Sequence, residues 1–286
     1  MLCDNINRKL SINAGGTLVQ LDRPQVMGIL NITPDSFYAG SRCPDVEAVS
    51  LRVKKMLDEG ADMIDVGGYS SRPGCAHVSA DEEKRRLAIG FEAIRRHNPH
   101  AIISVDTFRA EVARWSVEEW GVHIINDISG GEMDSAMYET VARLQVPYVM
   151  MHMRGTPETM MNEEHLQYDH VVADVLQHFA AKIDKLTHMG VNDIILDPGF
   201  GFSKRIEDNY KLMRHLDEFT RLGLPLLVGI SRKSMIYRLL NTTPEESLNG
   251  TTALNVLALM GGANILRVHD VKPAVEAVQI VTKTTF

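Results

Sequence analysis

Polar side chains follow several short apolar runs of the sequence, and these are the residues that could do chemistry. Three of them combine carboxylate and amide groups: Asp106, Asn126 and Asp197. Such groups offer hydrogen-bond acceptors and donors in one plane, which suits a flat heteroaromatic ring with amino and lactam edges. Three others, further along the chain, supply cations or a titratable imidazole: Lys233, Arg267 and His269.

The cationic group suits a diphosphate. Arg267 and His269 are two residues apart, so in an extended strand both side chains point to the same side. Cations and Mg²⁺ neutralise phosphate charge, and the amide oxygen of Asn31 could hold the metal. Lys233 could bridge the phosphate and ring regions. The sequence has neither a serine–histidine–aspartate order nor a paired-carboxylate motif, which favours transfer with a phosphate leaving group over acyl or glycosyl hydrolysis.

The stretch 194–204, IILDPGFGFSK, carries several of these features at once. Its apolar run predicts a buried strand that a Pro-Gly pair stops after Asp197. We expect the rings of Phe200 and Phe202 to cover the faces of a flat ligand. Lys204 adds a cation beside them. An Asp-Pro-Gly turn with two core phenylalanines would explain the same residues equally well.

Eight short apolar strands alternate with amphipathic helices after residue 22. The strands are predicted at 26–30, 63–66, 102–105, 123–125, 148–150, 194–196, 226–228 and 265–266. Helices are predicted at 45–60, 80–98, 109–120, 169–189 and 207–222. Another ends near 145, helical segments fill 234–260, and a last helix runs from 273.

This order predicts an α/β fold: a single (β/α)8 TIM barrel over residues 1–286, capped by a short N-terminal β-hairpin within residues 1–22. The hairpin strands are expected at 9–12 and 17–21, around a turn at 13–16. A doubly wound sheet is the competing fold, but it would favour a G-x-G-x-x-G after the first strand, which the sequence lacks. No low-complexity linker interrupts the chain.

In such a barrel, chemistry gathers at the C-terminal ends of the strands. One polar strand end indicates only a turn. Six of them, including the pair Asn126–Asp127 after the fourth strand, predict a shared site at one mouth. The loops that begin 31–37 and 67–74 are long and rich in turn residues, so they could act as lids.

Composition excludes several classes of protein. The net charge of −7 over 286 residues argues against a general nucleic-acid or acidic-membrane binder. Three cysteines (Cys3, Cys43 and Cys75), none in a C-x-x-C, indicate reduced thiols and a cytoplasmic location. We expect no signal peptide in residues 1–16, no membrane span, and no dedicated zinc site.

Six stretches together closely resemble the dihydropteroate synthase family of the folate pathway. They are 31–37 (NITPDSF), 65–68 with 71–74 (DVGG, SRPG), 126–127 (ND), 197–202 (DPGFGF), 231–234 (SRKS) and 267–270 (RVHD). The resemblance runs in order through the whole barrel and implies a transferase of alkyl groups other than methyl. It would condense 6-hydroxymethyl-7,8-dihydropterin diphosphate with 4-aminobenzoate, giving 7,8-dihydropteroate and diphosphate.

The resemblance also implies a role for each motif residue. The pterin would be held by Asp106, Asn126, Met151, Asp197, Phe202 and Lys233. The 4-aminobenzoate pocket would be formed by Ser71, Arg72, Pro73, Phe202, Ser231 and Lys233. The diphosphate would be held by Asn31, Arg267 and His269. The catalytic set would be Asn31, Lys233, Arg267 and His269, with Asn31 as the protein ligand of Mg²⁺. The family is a target of sulfonamides and is usually a homodimer packed through helices of the C-terminal half.

Three positions depart from the family pattern. Tyr69 replaces an acidic residue, Ser71 replaces a threonine, and Ser203 stands where glycine is frequent. Two other interpretations fit part of the pattern. A pterin-binding barrel that moves a methyl group from methyltetrahydrofolate to a corrinoid protein would share the pterin wall, but would have no use for Arg267 and His269. A pterin-binding paralogue without catalysis would be expected to lack Asn31, Lys233 or His269.

Overall fold

A β-hairpin opens the part of the chain that the computed structural model describes, which is residues 10–33, 46–70 and 78–285. Strand β1 (Ser11–Ala14) pairs antiparallel with β2 (Thr17–Gln20). The turn between them is Gly15–Gly16, with φ of +61° and +88°. Two successive residues with left-handed backbone conformation form the two-residue hairpin turn whose twist matches that of the flanking strands. The predicted hairpin is confirmed, although Ala14 lies in the strand and not in the turn.

Eight parallel strands follow and confirm the predicted barrel. They are β3 (Gln25–Asn31), β4 (Met63–Gly67), β5 (Ile102–Asp106), β6 (Ile124–Asp127), β7 (Tyr148–Met151), β8 (Ile194–Asp197), β9 (Leu227–Val228) and β10 (Ile265–Val268). Their spatial order is β8-β7-β6-β5-β4-β3-β10-β9. A parallel bridge between Leu196 and Leu226 joins β8 to the start of β9, so the sheet comes round on itself.

Helices connect the strands. They are α1 (Val46–Asp58), α2 (Ala80–His97), α3 (Ala110–Trp120), α4 (Met137–Leu144), α5 (Val171–His188), α6 (Ile206–Arg214), α7 (Ser234–Tyr237), α8 (Leu248–Met260) and α9 (Val271–Thr285). Short 3₁₀ turns lie at Glu163–His165 and Leu216–Leu222. The predicted helix 207–222 is therefore wrong in its second half, where the α-helix ends at Arg214 and a 3₁₀ segment follows.

Helix α2 illustrates why these segments are helical. The Ser79 hydroxyl accepts a hydrogen bond from the Glu82 amide at 3.3 Å, which caps the first turn. Acidic residues fill the first turn and basic residues the last, as the helix dipole favours. The apolar stripe of Leu87, Phe91 and Ile94 is fully buried against the sheet, as the sequence predicts.

The barrel interior is layered. Its lower layer is apolar, with one inward side chain from each of seven strands: Met27, Met63, Ile124, Val149, Ile195, Leu227 and Ile265. The hairpin closes this end, because Ile12 and the adjacent Leu21 are buried in the same cluster. Inward positions two residues further along the strands are mostly polar. The alternation of the strands thus separates a sealed bottom from a polar mouth.

The larger apolar core lies between the outer faces of the strands and the helices. In the described residues, no helix is both long enough and apolar enough to cross a membrane.

Candidate active site

Four residues of neighbouring strands lie side by side at the C-terminal mouth of the barrel. Asn31 of β3 pairs in register with Gly67 of β4, Gly67 with Asp106 of β5, and Asp106 with Asn126 of β6. Each is the last or nearly the last residue of its strand. Because parallel strands end at one edge, the register brings together one carboxylate and two amides that are far apart in sequence.

A buried carboxylate, Asp65, ties this row to the opposite side of the mouth. Its Oδ2 accepts hydrogen bonds from Arg267 Nε at 2.6 Å and from Asn126 Nδ2 at 2.9 Å. Arg267 Nη2 donates to Asp106 Oδ2 at 2.6 Å. Asp65 Oδ1 is buried and has no hydrogen-bond partner in the described ranges. One arginine therefore fixes two carboxylates, and one carboxylate fixes the amide of Asn126.

Burial and charge pull in opposite directions in this network. Burial raises the pKa of Asp106 to about 7, and Arg267 acts against that rise. Burial lowers the pKa of Arg267, but Asp65 and Asp106 overcome this, so the guanidinium stays charged. The mouth accordingly holds a permanent cation between two carboxyl groups, one of which has a pKa near neutrality.

Asp197 is the third carboxylate of the mouth. Strand β8 ends at this residue, and its Oδ1 accepts a hydrogen bond from the Gly199 amide at 2.8 Å. Burial raises the pKa of Asp197, while Lys233 holds it down. Its side chain points into the barrel, because Ile195, two residues earlier, belongs to the inner apolar layer.

Lys233 approaches Asp197 from the loop after β9. Its Nζ donates to the carbonyl of Phe200 and lies 4.6 Å from the centre of the Phe202 ring. Burial lowers the pKa of Lys233 to about 8, and Asp197 opposes this. The ammonium therefore lies between a carboxylate and an aromatic face, where it can contact a bound ring.

Ser231 and His269 form a second polar pair beside Arg267. The Ser231 hydroxyl lies 3.1 Å from His269 Nδ1 and accepts from the His269 amide at 3.1 Å. Burial lowers the pKa of His269 to about 4, with Arg267 and Arg232 adding to the effect. Arg232 itself donates to the Asp270 carboxylate through Nε at 2.9 Å and Nη2 at 2.8 Å, and so stabilises the loop after β9.

An apolar cluster covers the mouth on the side of β5 to β8. Its buried members are Phe108, Ile128, Met151, Met153 and Met160. Phe202 and Tyr69 pack against it and are partly exposed. A flat ligand that reaches Asp197 and Asn126 could therefore contact Met151 and Phe202 through its faces.

Three expectations from the sequence are wrong. Phe200 does not reach the mouth, because it is fully buried in the outer core. Lys204 offers no free cation, because its ammonium is enclosed by backbone carbonyls. Asp127 points away from the interior and accepts from Tyr148, Ser129 and Gly131. Of the aromatic pair, only Phe202 lies at the mouth.

Asp65 was missing from the predicted site residues, although alternation gives a signal for it. Since Gly67 is the last residue of β4, the position two residues earlier also points inward. Ser71, Arg72 and Pro73 lie outside the described residues, as do Cys3, Cys43 and Cys75 and most of the predicted first lid.

Asn31 satisfies the chemical requirements of a magnesium ligand. It is half-buried at the mouth, and a Cβ on Gly67 would stand 3.3 Å from its Oδ1. The glycine thus leaves this side of the amide oxygen open. Within the described residues, no cluster of three histidine, cysteine or acidic side chains could hold a metal. An ion bound here would therefore take one amide oxygen and complete its shell with phosphate oxygens and water, which Mg²⁺ accepts.

Comparison with known proteins gives consistent matches along the chain. Residues 27–269 match the model of a family described as pterin binding enzymes. Dihydropteroate synthase from Escherichia coli K12 is 45% identical over 277 residues, 96% of either chain. The Yersinia pestis dihydropteroate synthase, solved with a sulfonamide drug complex, superposes with a TM-score of 0.89 at 42% identity, covering 96% of this chain and 99% of the other. The Xanthomonas albilineans enzyme in complex with 7,8-dihydropteroate gives 0.85 at 36% identity, covering 96% and 98%.

Proposed function

The chain belongs to the pterin-binding enzymes and, among them, to the dihydropteroate synthases, and from this premise we propose how its mouth performs the reaction. The enzyme is a transferase that joins 4-aminobenzoate to the methylene carbon of 6-hydroxymethyl-7,8-dihydropterin diphosphate and releases diphosphate. The observation that carries the assignment of roles is the convergence of Asp106, Asn126 and Asp197 with Arg267 and Lys233 at one end of the barrel.

The pterin lies against the wall of carboxylates and amides. Asp197 accepts hydrogen bonds from the amino edge of the ring, and Asn126 and Asp106 meet its other polar edge. Met151 and Phe202 contact the ring faces. Support for this arrangement comes from the Asp65–Arg267–Asp106 network, which holds two of these groups, Asn126 and Asp106, before any ligand arrives. Groups fixed in advance need no reorganisation when the substrate binds.

The diphosphate lies on the side of Arg267, His269 and Asn31. Arg267 supplies a permanent positive charge, and His269 supplies a ring nitrogen directed by Ser231. Asn31 holds Mg²⁺, which when bound neutralises diphosphate charge and makes it a better leaving group. Stabilising the charge that develops on the leaving oxygen lowers the barrier to carbon–oxygen cleavage, by several kcal/mol where the groups are preorganised.

The arylamine of 4-aminobenzoate is a weak nucleophile that is already neutral at pH 7, so its approach requires positioning more than a strong base. Phe202, Lys233 and Ser231 form the described part of its pocket, and Ser71, Arg72 and Pro73 complete it. With a pKa of about 8, the Lys233 side chain is largely protonated at neutral pH. Its ammonium can therefore donate to the 4-aminobenzoate carboxylate or to a pterin carbonyl.

The working form is a homodimer in the cytoplasm. Helix α8 supports the dimer, because its exposed side carries Ala253 and Leu257, with the partly buried Val256 and Met260 beside them. A surface helix normally turns polar residues outward. The odd number of cysteines and the absence of a C-x-x-C support a reducing compartment.

Diphosphate release by the purified protein tests the proposed function. The protein is incubated with the dihydropterin diphosphate and Mg²⁺, with and without 4-aminobenzoate. Release that depends on 4-aminobenzoate, matched by an equal amount of dihydropteroate, is expected. Tight pterin binding without product would instead identify a paralogue without catalysis.

Residue roles are tested in the same assay. We expect Asn31→Ala to raise the Mg²⁺ concentration needed for half-maximal rate, and Asp197→Asn to weaken pterin binding at any Mg²⁺ concentration. An Asn31→Ala variant with an unchanged Mg²⁺ requirement would remove Asn31 from the metal site.

A further inference from the structure

Lys204 is a buried lysine whose amino group lies inside a ring of backbone oxygens. Its Nζ donates to the carbonyls of Gly199 at 3.0 Å, Phe202 at 3.0 Å and His152 at 3.2 Å. His152 Nδ1 is also 3.0 Å away. Only 3% of the residue is exposed. An ammonium has three hydrogens, which matches the three carbonyls. Burial lowers the pKa of the Lys204 amine well below its usual value, and Asp197 opposes this. The hydrogen bonds to the carbonyls offset part of the cost of burying this polar group.

Two of the carbonyls, those of Gly199 and Phe202, belong to the turn that follows β8, whereas that of His152 follows β7. The turn after β8 has an unusual backbone. Gly199, Gly201 and Ser203 all have positive φ, of +70°, +80° and +47°. Left-handed residues alternate with right-handed ones along this turn, and as a result the carbonyls of Gly199 and Phe202 both point towards Lys204 Nζ. A side chain on Gly199 is impossible, because its Cβ would stand 2.0 Å from the His152 carbonyl oxygen.

The other side of the same turn faces the mouth. The Phe200 carbonyl accepts from Lys233, and the Phe202 ring packs on the apolar cluster that contains Met151. The turn therefore has a lysine amino group on each side: Lys204 from within and Lys233 from the mouth. Without the Lys204 amino group, the Phe202 carbonyl would lose its donor and the Gly199 carbonyl would keep only the Phe202 amide, at 3.1 Å, which favours a different shape of the turn.

We propose that Lys204 is a positioning residue whose amino group holds the turn 199–203 in the shape that places the Phe202 ring and the Lys233 ammonium at the mouth. Lys204 touches no substrate. The inference rests on the proposed function for the consequence in ligand binding, but the position of the turn itself can be tested apart from any activity.

Two other side chains act on the turn alongside Lys204. Asn209 of α6 accepts from the Gly201 amide at 2.7 Å through Oδ1, and its Nδ2 donates to the Arg205 carbonyl at 2.7 Å. The Ser203 hydroxyl accepts from the Arg154 amide at 2.9 Å. These bonds fix the middle and the end of the turn. Asn209 therefore offers a milder variant than Lys204 for disturbing the same segment.

The first experiment places a reporter on the turn. In a Phe202→Trp background, acrylamide quenching of fluorescence is compared with and without Lys204→Met, at a temperature where circular dichroism shows both chains folded. The quenching constant attributable to the reporter is expected to rise about twofold or more when the ammonium is lost. Lys211→Met, on the exposed lysine of α6, is the control and should leave quenching unchanged.

The second experiment measures the consequence in binding. Calorimetry with 6-hydroxymethyl-7,8-dihydropterin diphosphate should show a Kd about tenfold or more higher for Lys204→Met and for Phe202→Ala. The loss in the double variant should be smaller than the product of the two single losses, because Lys204→Met acts in part through the ring that Phe202→Ala removes. Asn209→Ala should move quenching and Kd in the same direction by a smaller factor.

The outcomes separate this inference from the proposed function. A folded Lys204→Met protein with unchanged reporter quenching would overturn the positioning role. So would a double variant whose loss equals the product of the two single losses. Where Lys204→Met does not fold, Asn209→Ala decides by the same quenching measurement. A Phe202→Ala protein with an unchanged Kd for the dihydropterin diphosphate would instead contradict the proposed pterin pocket. The fluorescence quenching measurement would still test the role of Lys204 in that case.

Discussion

Arg267 shows how a single side chain at the mouth has more than one task. Its guanidinium binds the buried Asp65 and the partly buried Asp106 at once, both at 2.6 Å. Two charge-assisted hydrogen bonds in a fixed fork restrict its orientation. A cation aimed in this way can stabilise developing charge on a leaving group without first rearranging.

His269 should couple diphosphate binding to proton uptake. Its pKa in the free protein is about 4, so the imidazole is neutral at pH 7. A bound diphosphate favours the charged form and raises this pKa. A group whose pKa rises on binding strengthens that binding as pH falls. We therefore expect diphosphate affinity to increase from about pH 7 to about pH 5.

The measurement is calorimetry of diphosphate binding in buffers of different ionisation enthalpy, where proton uptake appears as a buffer-dependent heat. His269→Gln keeps a hydrogen-bonding side chain but cannot titrate, so it should reduce the uptake. An uptake equal in wild type and His269→Gln would assign the proton to the diphosphate itself.

Single residues were predictable where the backbone is regular. Their position directly after apolar runs predicted Asn31, Asp106, Asn126 and Asp197 at the mouth, and the alternation of side chains in the observed strands directs them inward. After Asp197 the rule fails, because Gly199, Gly201 and Ser203 have left-handed backbone and reverse the expected directions. For this reason the sequence could not separate Phe202, at the mouth, from Phe200, in the core.

The elements around the second loop are joined by Arg109 at the start of α3. Its Nη2 donates to the Val78 carbonyl at 2.7 Å, and its guanidinium lies 5.4 Å from the Tyr69 ring centre. It also pairs with the buried carboxylate of Glu83 in α2. Arg109 thus contacts both flanks of residues 71–77, which include three proposed 4-aminobenzoate contacts.

We expect loss of this contact to affect one substrate and not the other. Arg109→Met, combined with Glu83→Gln so that no buried charge is left unpaired, should raise the KM for 4-aminobenzoate about tenfold. The Kd for the pterin diphosphate should stay within about twofold, because the Arg109 guanidinium donates to Glu83 and Val78 and not to the residues of the pterin wall. Steady-state kinetics and calorimetry provide the two numbers.

Arg114→Met serves as the control, because Arg114 is a half-exposed arginine of the same helix. Equal increases in both constants would mean that Arg109 supports the barrel as a whole and not the loop.

The hairpin should contribute stability but not chemistry. Ile12 and Leu21 are buried in the lower layer, whereas Leu18 of the same hairpin is 62% exposed. Ile12→Ala or Leu21→Ala should each lower the free energy of unfolding by about 2–4 kcal/mol, and Leu18→Ala by less than about 0.5 kcal/mol. Urea unfolding measures both.

Turnover per folded molecule should be unchanged in all three variants, since a full apolar layer separates the hairpin from the mouth. A change in KM for either substrate would show that the lower layer transmits strain to the site.

Elements were predicted well where apolar periodicity is strong, and less well at their ends. Four strands extend one residue further than predicted, to Asn31, Gly67, Asp106 and Asp197, because these terminal residues still pair in the sheet. The segment 207–222 keeps a helical pattern, but the α-helix stops at Arg214 and 3₁₀ hydrogen bonding continues from Leu216. Periodicity does not distinguish these two helices over so few residues.

For the molecule as a whole, the apolar outer side of α8 predicts self-association. Leu257 is 54% exposed, with Ala253 beside it on the same side of the helix. We expect the wild-type protein to sediment as a dimer and Leu257→Glu to shift it towards the monomer, because a buried unpaired charge opposes association. Leu51→Glu, at an exposed leucine of α1, is the matched control. A wild-type protein of one-chain mass at micromolar concentration would contradict the dimer.

The barrel itself could be predicted from the sequence because eight doubly buried strands alternate with helices over the whole chain. The Asp65 network could not, since the choice of partners for Arg267 depends on distances across the barrel that no local pattern records. The mouth has three carboxyl groups, and only the closed barrel shows that Arg267 binds Asp65 and Asp106 and not Asp197.

The register of the strands limits how this protein can change over evolutionary time. Asn31, Gly67, Asp106 and Asn126 stand at one level because each strand has a fixed number of residues below them. Inserting or deleting one residue within a strand would turn its polar end outward and its helix-facing residues inward. Lengthening a connecting loop would move none of the four. Tolerated insertions and deletions should therefore accumulate between the strands, and the catalytic mouth should keep its geometry while its surroundings vary.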